Sequence, residues 1–175
     1  MRELADADRI RRLMRALGAA ADSDVAAFFT GGATAVLNGW RRATIDVDIA
    51  FVPESDAILR AIPFVKNELQ INVELVSPAD FVPVRRDWQD RSVFVAREGR
   101  VSFYHFDPYA QAVAKLERAH VRDLEDVTSM LNAGLVDRER LAAYFADIEP
   151  ALFRYPAIDP AALRARVEEA TGRID

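Results

Sequence analysis

The sequence predicts an α/β (α+β) fold, with strands and flanking helices over roughly the first 106 residues and a helical C-terminal portion after them. Three observations carry this. The stretch Phe28 to Phe51 reads as strand, glycine turn at Gly31-Gly32, short helix, second strand. In that second strand Ile45, Val47, Ile49 and Phe51 alternate with Thr44, Asp46 and Asp48, the period of two that puts apolar and polar side chains on opposite faces. After Phe106 the apolar residues recur only at helical spacing, interrupted at Pro150 and Pro156.

In chain order, residues 4–21 form an amphipathic helix, with Ile10, Leu13, Met14, Leu17 and Ala21 on one face. Val25 to Thr30 is a short apolar strand. Ala33 to Asn38 has helical propensity, and Gly39 ends that helix. Asp46 to Val52 is a strand stopped by Pro53. Glu54-Ser55-Asp56 signals a helix start, and Ala57 to Leu69 is the helix. Ile71 to Val76 is a third strand, with Asn72 and Glu74 on one face and Ile71, Val73 and Leu75 on the other. Phe81 to Gln89 is irregular. Ser92 to Arg97 and Val101 to Phe106 make a hairpin around Glu98-Gly99-Arg100. Asp107-Pro108 is an N-cap followed by proline at the first helical position. Ala110 to His120, Asp123 to Leu131, Asp137 to Phe145 and Pro160 to Ala170 are helices, the second being either separate from the first or its continuation. The expected organisation is residues 1–106 as the α/β core and 107–175 as a helical portion packed on it in a single structural unit, with no long linker.

Hydrophobic residues make up 51% of the 175 residues, which argues for a folded core. No apolar run is long enough to span a membrane, and the charged start lacks the apolar core of a signal peptide. Cysteine is absent, which excludes disulfides and thiolate metal sites; a cytoplasmic location is the expectation. A net charge of −5 means that the surface as a whole does not attract nucleic acid. A local basic patch is best sought at Arg85, Arg86, Arg91, Arg97 and Arg100; a solvated arginine face is the other reading.

The chemistry concentrates on the glycine turn and the second strand. Asp46 and Asp48, on one strand face, stand roughly 7 Å apart, twice the rise per residue. Both reach a common divalent cation or a close pair of them; without a positive partner they repel. A helix starting after Gly31-Gly32 presents backbone N–H groups to a phosphate, and glycine permits its close approach. The plain alternatives are a tight turn and a solvent-facing strand. Thr30 and Thr34 offer hydroxyl contacts or simple helix caps. His105 and His120 are isolated and read as structural.

This arrangement resembles the nucleotidyltransferase fold shared with DNA polymerase beta, whose pattern is Gly-Gly or Gly-Ser, a short helix, Asp-x-Asp on a strand and a third carboxylate on a later strand. The resemblance covers about the first half of the chain. It includes the string Arg42-Ala43-Thr44-Ile45-Asp46-Val47-Asp48. The later string Ala-Lys-Leu-Glu-Arg-Ala-His-Val-Arg-Asp-Leu-Glu-Asp, residues 114–126, resembles a segment of the bacterial minimal nucleotidyltransferases of abortive-infection and toxin–antitoxin type.

The resemblance implies a nucleotidyltransferase-like mixed sheet and an enzyme that moves a nucleoside monophosphate from a nucleoside triphosphate to a hydroxyl of tRNA, protein or a small molecule, as the toxin of a toxin–antitoxin pair with a cognate antitoxin. It implies Mg²⁺ at a two-metal site held by Asp46, Asp48 and Glu74, the catalytic residues. Glu74 stands where many relatives carry aspartate. Gly31, Gly32, Thr34, Arg42, Lys115 and Arg118 would bind the nucleotide. On one continuous helix Lys115, Arg118 and Arg122 would share a face, and Lys115 is one of only two lysines among 23 basic residues. The rivals are a catalytically inactive nucleotide-binding or protein-interaction module on the same fold, and a structural domain in which Arg42 and the Lys115 string are surface charges.

Overall fold

A computed structural model of the chain describes residues 3–172; the outermost residues of the two expected portions, 1–2 and 173–175, lie outside them. The chain divides into two units, residues 1–77 with 92–106, and residues 78–91 with 107–175.

The first unit is a mixed sheet flanked by helices. Asp6 caps the first helix by accepting from the Arg9 amide at 2.9 Å, so α1 is Ala7–Ala20, and Ala5–Asp6 is a short strand, β1. Strand β2 (Val25–Thr30) runs into helix α2 (Gly31–Leu37). The two glycines are therefore the first turn of the helix rather than a turn before it. Strands β3 (Ala43–Thr44) and β4 (Asp46–Val52) follow, then α3 (Asp56–Leu69), whose Ser55 cap accepts from the Ile58 amide, and β5 (Asn72–Leu75).

The short α4 (Trp88–Arg91) belongs to the second unit, and the hairpin β6 (Val93–Glu98) and β7 (Val101–His105) returns to the first. The sheet order is β5-β4-β2-β7-β6, with β4–β5 and β2–β7 parallel and the other pairs antiparallel. β1 and β3 pair separately, Ala5 against Thr44, which the sequence did not announce because two residues carry no readable period.

One face of the sheet holds the core: Ala27, Phe29, Val47, Ile49, Val73 and Phe103 are buried with Leu13, Leu17, Ile58 and Ile62 of α1 and α3. Phe29 and Phe103 stack at 5.5 Å. Each such buried side chain contributes about 1.5–3 kcal/mol of apolar transfer. Two residues expected on this face are exposed. Ile45 is 62% exposed because the chain bends before β4, where the Thr44 hydroxyl donates to the Asp46 carbonyl at 2.9 Å. Leu75 is 55% exposed at the end of the edge strand β5.

The second unit is helical: α5 (Pro108–Arg118), α6 (Val121–Asn132), α7 (Arg138–Ile148) and α8 (Pro160–Thr171), with 3₁₀ turns at Pro78–Asp80 and Glu149–Arg154. Residues 78–91, expected to be irregular over 81–89, belong here for a physical reason. The Arg91 guanidinium lies over the rings of Tyr109 and Tyr144 at 5.2 and 5.3 Å, and its Nε donates to Asp107 Oδ2 at 3.0 Å. Tyr155 donates to the Ala79 carbonyl at 2.6 Å, and Arg85 pairs with Asp147. None of the described helices is long and apolar enough to cross a membrane.

α5 and α6 are separate helices. Ala119 takes a left-handed conformation, φ 54°, and His120 is extended. Arg122 therefore sits on a different helix from Lys115 and Arg118, and the single cationic face expected of a continuous helix does not form.

Candidate active site

The candidate site is built on the sheet face of the first unit opposite the core. Register does what sequence spacing alone cannot. Asp48 lies opposite Thr30 on β2 and opposite Glu74 on β5, while Asp46 lies opposite Asn72. Three acidic residues are thus grouped on two adjacent strands. Asn72 Nδ2 donates to Asp46 Oδ1 at 2.6 Å and to Glu74 Oε1 at 3.3 Å.

Gly31 meets this cluster, and Gly32 meets Thr44. Gly31 has φ +61°, and a β-carbon there would stand 2.8 Å from Asp48 Oδ2. A β-carbon on Gly32 would stand 2.1 Å from Thr44 Oγ1 and 2.7 Å from Thr44 Cβ. Thr44 is buried and its hydroxyl is engaged with the Asp46 carbonyl, so it has no room to yield. Gly32→Ala is expected to lower unfolding free energy by about 1–3 kcal/mol, the usual cost of overpacking. Urea denaturation checks this, and a value equal to wild type would mean that Thr44 moves without cost.

The other expected nucleotide contacts are dispersed. Arg42 is exposed; it is its neighbour Arg41 that comes near the turn, its Nη1 3.5 Å from where a Gly32 β-carbon would be. Thr34 is 1% exposed and faces the interior of its unit. Its hydroxyl donates to the Phe29 carbonyl at 3.3 Å and stands 3.1 Å from His105 Nδ1. Asn38 Nδ2, a donor, stands 3.2 Å from His105 Nε2. One neutral tautomer satisfies all three contacts: Nε2 accepts from Asn38, and Nδ1–H donates to Thr34.

Burial pushes the His105 imidazole down to about 4. The unfolded chain takes up a proton near pH 6.5 that the folded chain refuses. Stability from this residue is therefore complete above pH 6.5 and declines as pH falls from there toward 4, by roughly 3 kcal/mol in all. Urea titrations at several pH values should show a steeper acid decline for wild type than for His105→Gln; parallel curves would exclude this account.

In the second unit Lys115 is 5% exposed. Its Nζ contacts Asp126 Oδ2 at 2.5 Å and lies 3.8 Å from Asp123 Oδ1. Arg118 grips Asp123 with two bonds, Nε to Oδ2 at 2.7 Å and Nη2 to Oδ1 at 2.6 Å. Burial alone would raise the Asp123 carboxyl, but the Arg118 and Lys115 charges overcome it and hold it below the usual carboxylate range. The cations of α5 and the carboxylates of α6 thus lock the corner between the helices.

The arginines of the middle stretch are mostly engaged. Arg85 pairs with Asp87 and Asp147, Arg91 with Asp107 and Arg97 with Asp24; Arg100 donates to the Asp22 carbonyl. Each of these intramolecular contacts competes with a phosphate.

The donor set of the first unit suits a hard cation. Its side chains are all oxygen acids, and Mg²⁺ takes one or two carboxylates, completing its octahedron with water and substrate phosphate. Asp46 and Asp48 meet that need. Among the described residues no three His, Cys, Asp or Glu side chains converge on one point, and Glu74 is exposed and hydrogen-bonded to Asn72.

Asn72 and Arg41 are the site neighbours that sequence reasoning assigned no role. Asn72 shares a strand face with Glu74, a signal present in the sequence, but its partner Asp46 is set by strand register. No curated protein and no solved structure matches the chain. Residues 8–157 match the family described as nucleotidyltransferase of unknown function (DUF6036). A match over so much of the chain, on the fold described above, means that this protein belongs to that nucleotidyltransferase family of unknown function.

Proposed function

We propose that the chain is a Mg²⁺-dependent enzyme that transfers a nucleoside monophosphate from a nucleoside triphosphate to a hydroxyl group. The acceptor oxygen forms a bond to the α-phosphorus, the α–β phosphoanhydride bond breaks, and pyrophosphate leaves. Divalent cations at Asp46 and Asp48 would neutralise the triphosphate and favour ionisation of the acceptor hydroxyl. Glu74, in register with Asp48, would accept the hydroxyl proton. Gly31, whose absent β-carbon would meet Asp48, and Gly32, whose absent β-carbon would meet Thr44, would permit the close approach of a phosphate to this turn. Arg42 would supply phosphate charge, and Thr34 would hold α2 through its interior hydrogen bonds; Lys115 and Arg118, in the second unit, are engaged with Asp126 and Asp123. What supports this reading above all is the pair of strand registers that places Asp48 between Thr30, the residue before Gly31, and Glu74.

The acceptor is proposed to lie on tRNA, a protein or a small molecule. A cytoplasmic toxin role, with a cognate antitoxin, rests on the likeness of the Lys115–Asp126 string to minimal nucleotidyltransferases. The second reading, a module that binds nucleotide without turnover, is favoured by the finding that among the described residues no three acidic side chains converge on one metal position.

The test is thermal shift with each of the four nucleoside triphosphates, with and without Mg²⁺, on wild type and an Asp46→Ala/Asp48→Ala variant. A metal-dependent shift lost in the variant supports the site and identifies the nucleotide; labelled transfer then separates enzyme from module. No shift with any triphosphate counts against both.

A further inference from the structure

We propose that Asn72 is a positioning residue of the acidic site: its side-chain amide fixes the Asp46 carboxylate, with Glu74 beside it, for the divalent cation proposed at Asp46 and Asp48. The inference rests on the reading of that site under the proposed function, and adds to it a residue outside the acidic set.

The argument begins with charge. Asp46, Asp48 and Glu74 stand on neighbouring strands, in rows about 4.8 Å apart, with Asp48 opposite Glu74. Like charges at this spacing repel. The position opposite Asp46 is Asn72, a side chain of aspartate's shape that carries no charge and offers donors. Asp46 and Glu74 are carboxylates, which only accept, so the amide nitrogen faces them. One nitrogen reaches both, 2.6 Å from Asp46 Oδ1 and 3.3 Å from Glu74 Oε1. It ties one oxygen of each carboxylate to a common point.

An apolar residue here would leave the two acids to swing apart. An aspartate would add a further negative charge and, having no donor, abolish both hydrogen bonds. Asn72 itself need not touch the metal. Partners of this kind, which orient the residues that hold a metal, typically change its affinity about ten- to a hundredfold when removed.

The experiment uses the full chain and Mn²⁺ as the probe, read by electron paramagnetic resonance titration of free Mn²⁺ and by melting temperature in chelator and in Mn²⁺. Three proteins are compared: wild type, Asn72→Leu and Asn72→Asp. Wild type is expected to bind Mn²⁺, and Asn72→Leu to bind it about ten- to a hundredfold more weakly. Asn72→Asp is expected to melt below wild type in chelator and to gain more from Mn²⁺ than wild type does, because the cation then relieves the added repulsion. A purely structural asparagine would lower the melting temperature of Asn72→Asp equally with and without Mn²⁺.

Equal Mn²⁺ affinity in wild type and Asn72→Leu would overturn the proposal while leaving the site intact. Should Asn72→Leu not fold, Asn72→Asp decides: a melting temperature in chelator equal to wild type, or a deficit that Mn²⁺ does not reduce, overturns it. Wild type that binds no Mn²⁺ removes the acidic site itself, and this inference with it.

Discussion

Lys115→Met is expected to lower the unfolding free energy by about 3–5 kcal/mol, the scale on which removing one partner of a buried ion pair acts. The reason is burial without solvent relief. Lys115, Asp123 and Asp126 are all nearly inaccessible, and the ammonium contacts Asp126 at 2.5 Å. Deleting it removes the ammonium that faces the Asp126 carboxylate in a low-dielectric interior. Replacing both partners by apolar side chains, Lys115→Met with Asp126→Leu, should recover most of the loss, because well-packed apolar pairs commonly match buried ion pairs in stability. Urea denaturation of the two variants checks this, and a Lys115→Met protein within 0.5 kcal/mol of wild type would refute the staple. The same pair separates structure from function. If the ammonium also holds triphosphate, the stable double variant should still lose nucleotide binding; if it only locks α5 to α6, binding should survive.

The second large effect is on turnover. Asp46→Ala/Asp48→Ala is expected to reduce nucleotidyl transfer by about a thousandfold or more, corresponding to several kcal/mol of transition-state stabilisation. The variant should also lose the metal-dependent nucleotide shift. In wild type a ligand at about 100 times its dissociation constant adds about 2.7 kcal/mol, roughly 5–10 °C in melting temperature for a protein of this size. Retained metal-dependent binding in the variant would mean that the cation is held elsewhere. Retained turnover would mean that the chemistry does not run through these carboxylates. Either result can be told from misfolding, because the core beneath β4, Val47 and Ile49, is untouched.

Much of the first unit was legible in the sequence because local physics and tertiary structure agree there. Val47 and Ile49 alternate with Asp46 and Asp48, and the sheet buries the first pair and not the second. Ser55 and Asp107 cap the helices that their positions announce. Ile45 departs from the alternation because a period of two holds only within a strand, and the strand begins one residue later. Thr34 read as a polar contact at a helix start; its rotation about α2 turns it inward to His105, which lies 71 positions away.

By itself the sequence determined the apolar and polar faces, the glycine pair, the Asp46–Asp48 spacing and the helical character beyond residue 106, since each depends on neighbours within a few positions. Only the tertiary structure decided which strands lie side by side, and so that Glu74 stands opposite Asp48 and Asn72 opposite Asp46. It also decided that residues 78–91 join the helical unit and that the Lys115 to Asp126 string folds back on itself across a corner. A one-residue slip of β5 would turn Asn72 and Glu74 to the other face. What prevents it is the burial of Ile71 and Val73, a constraint that exists only once the core has formed.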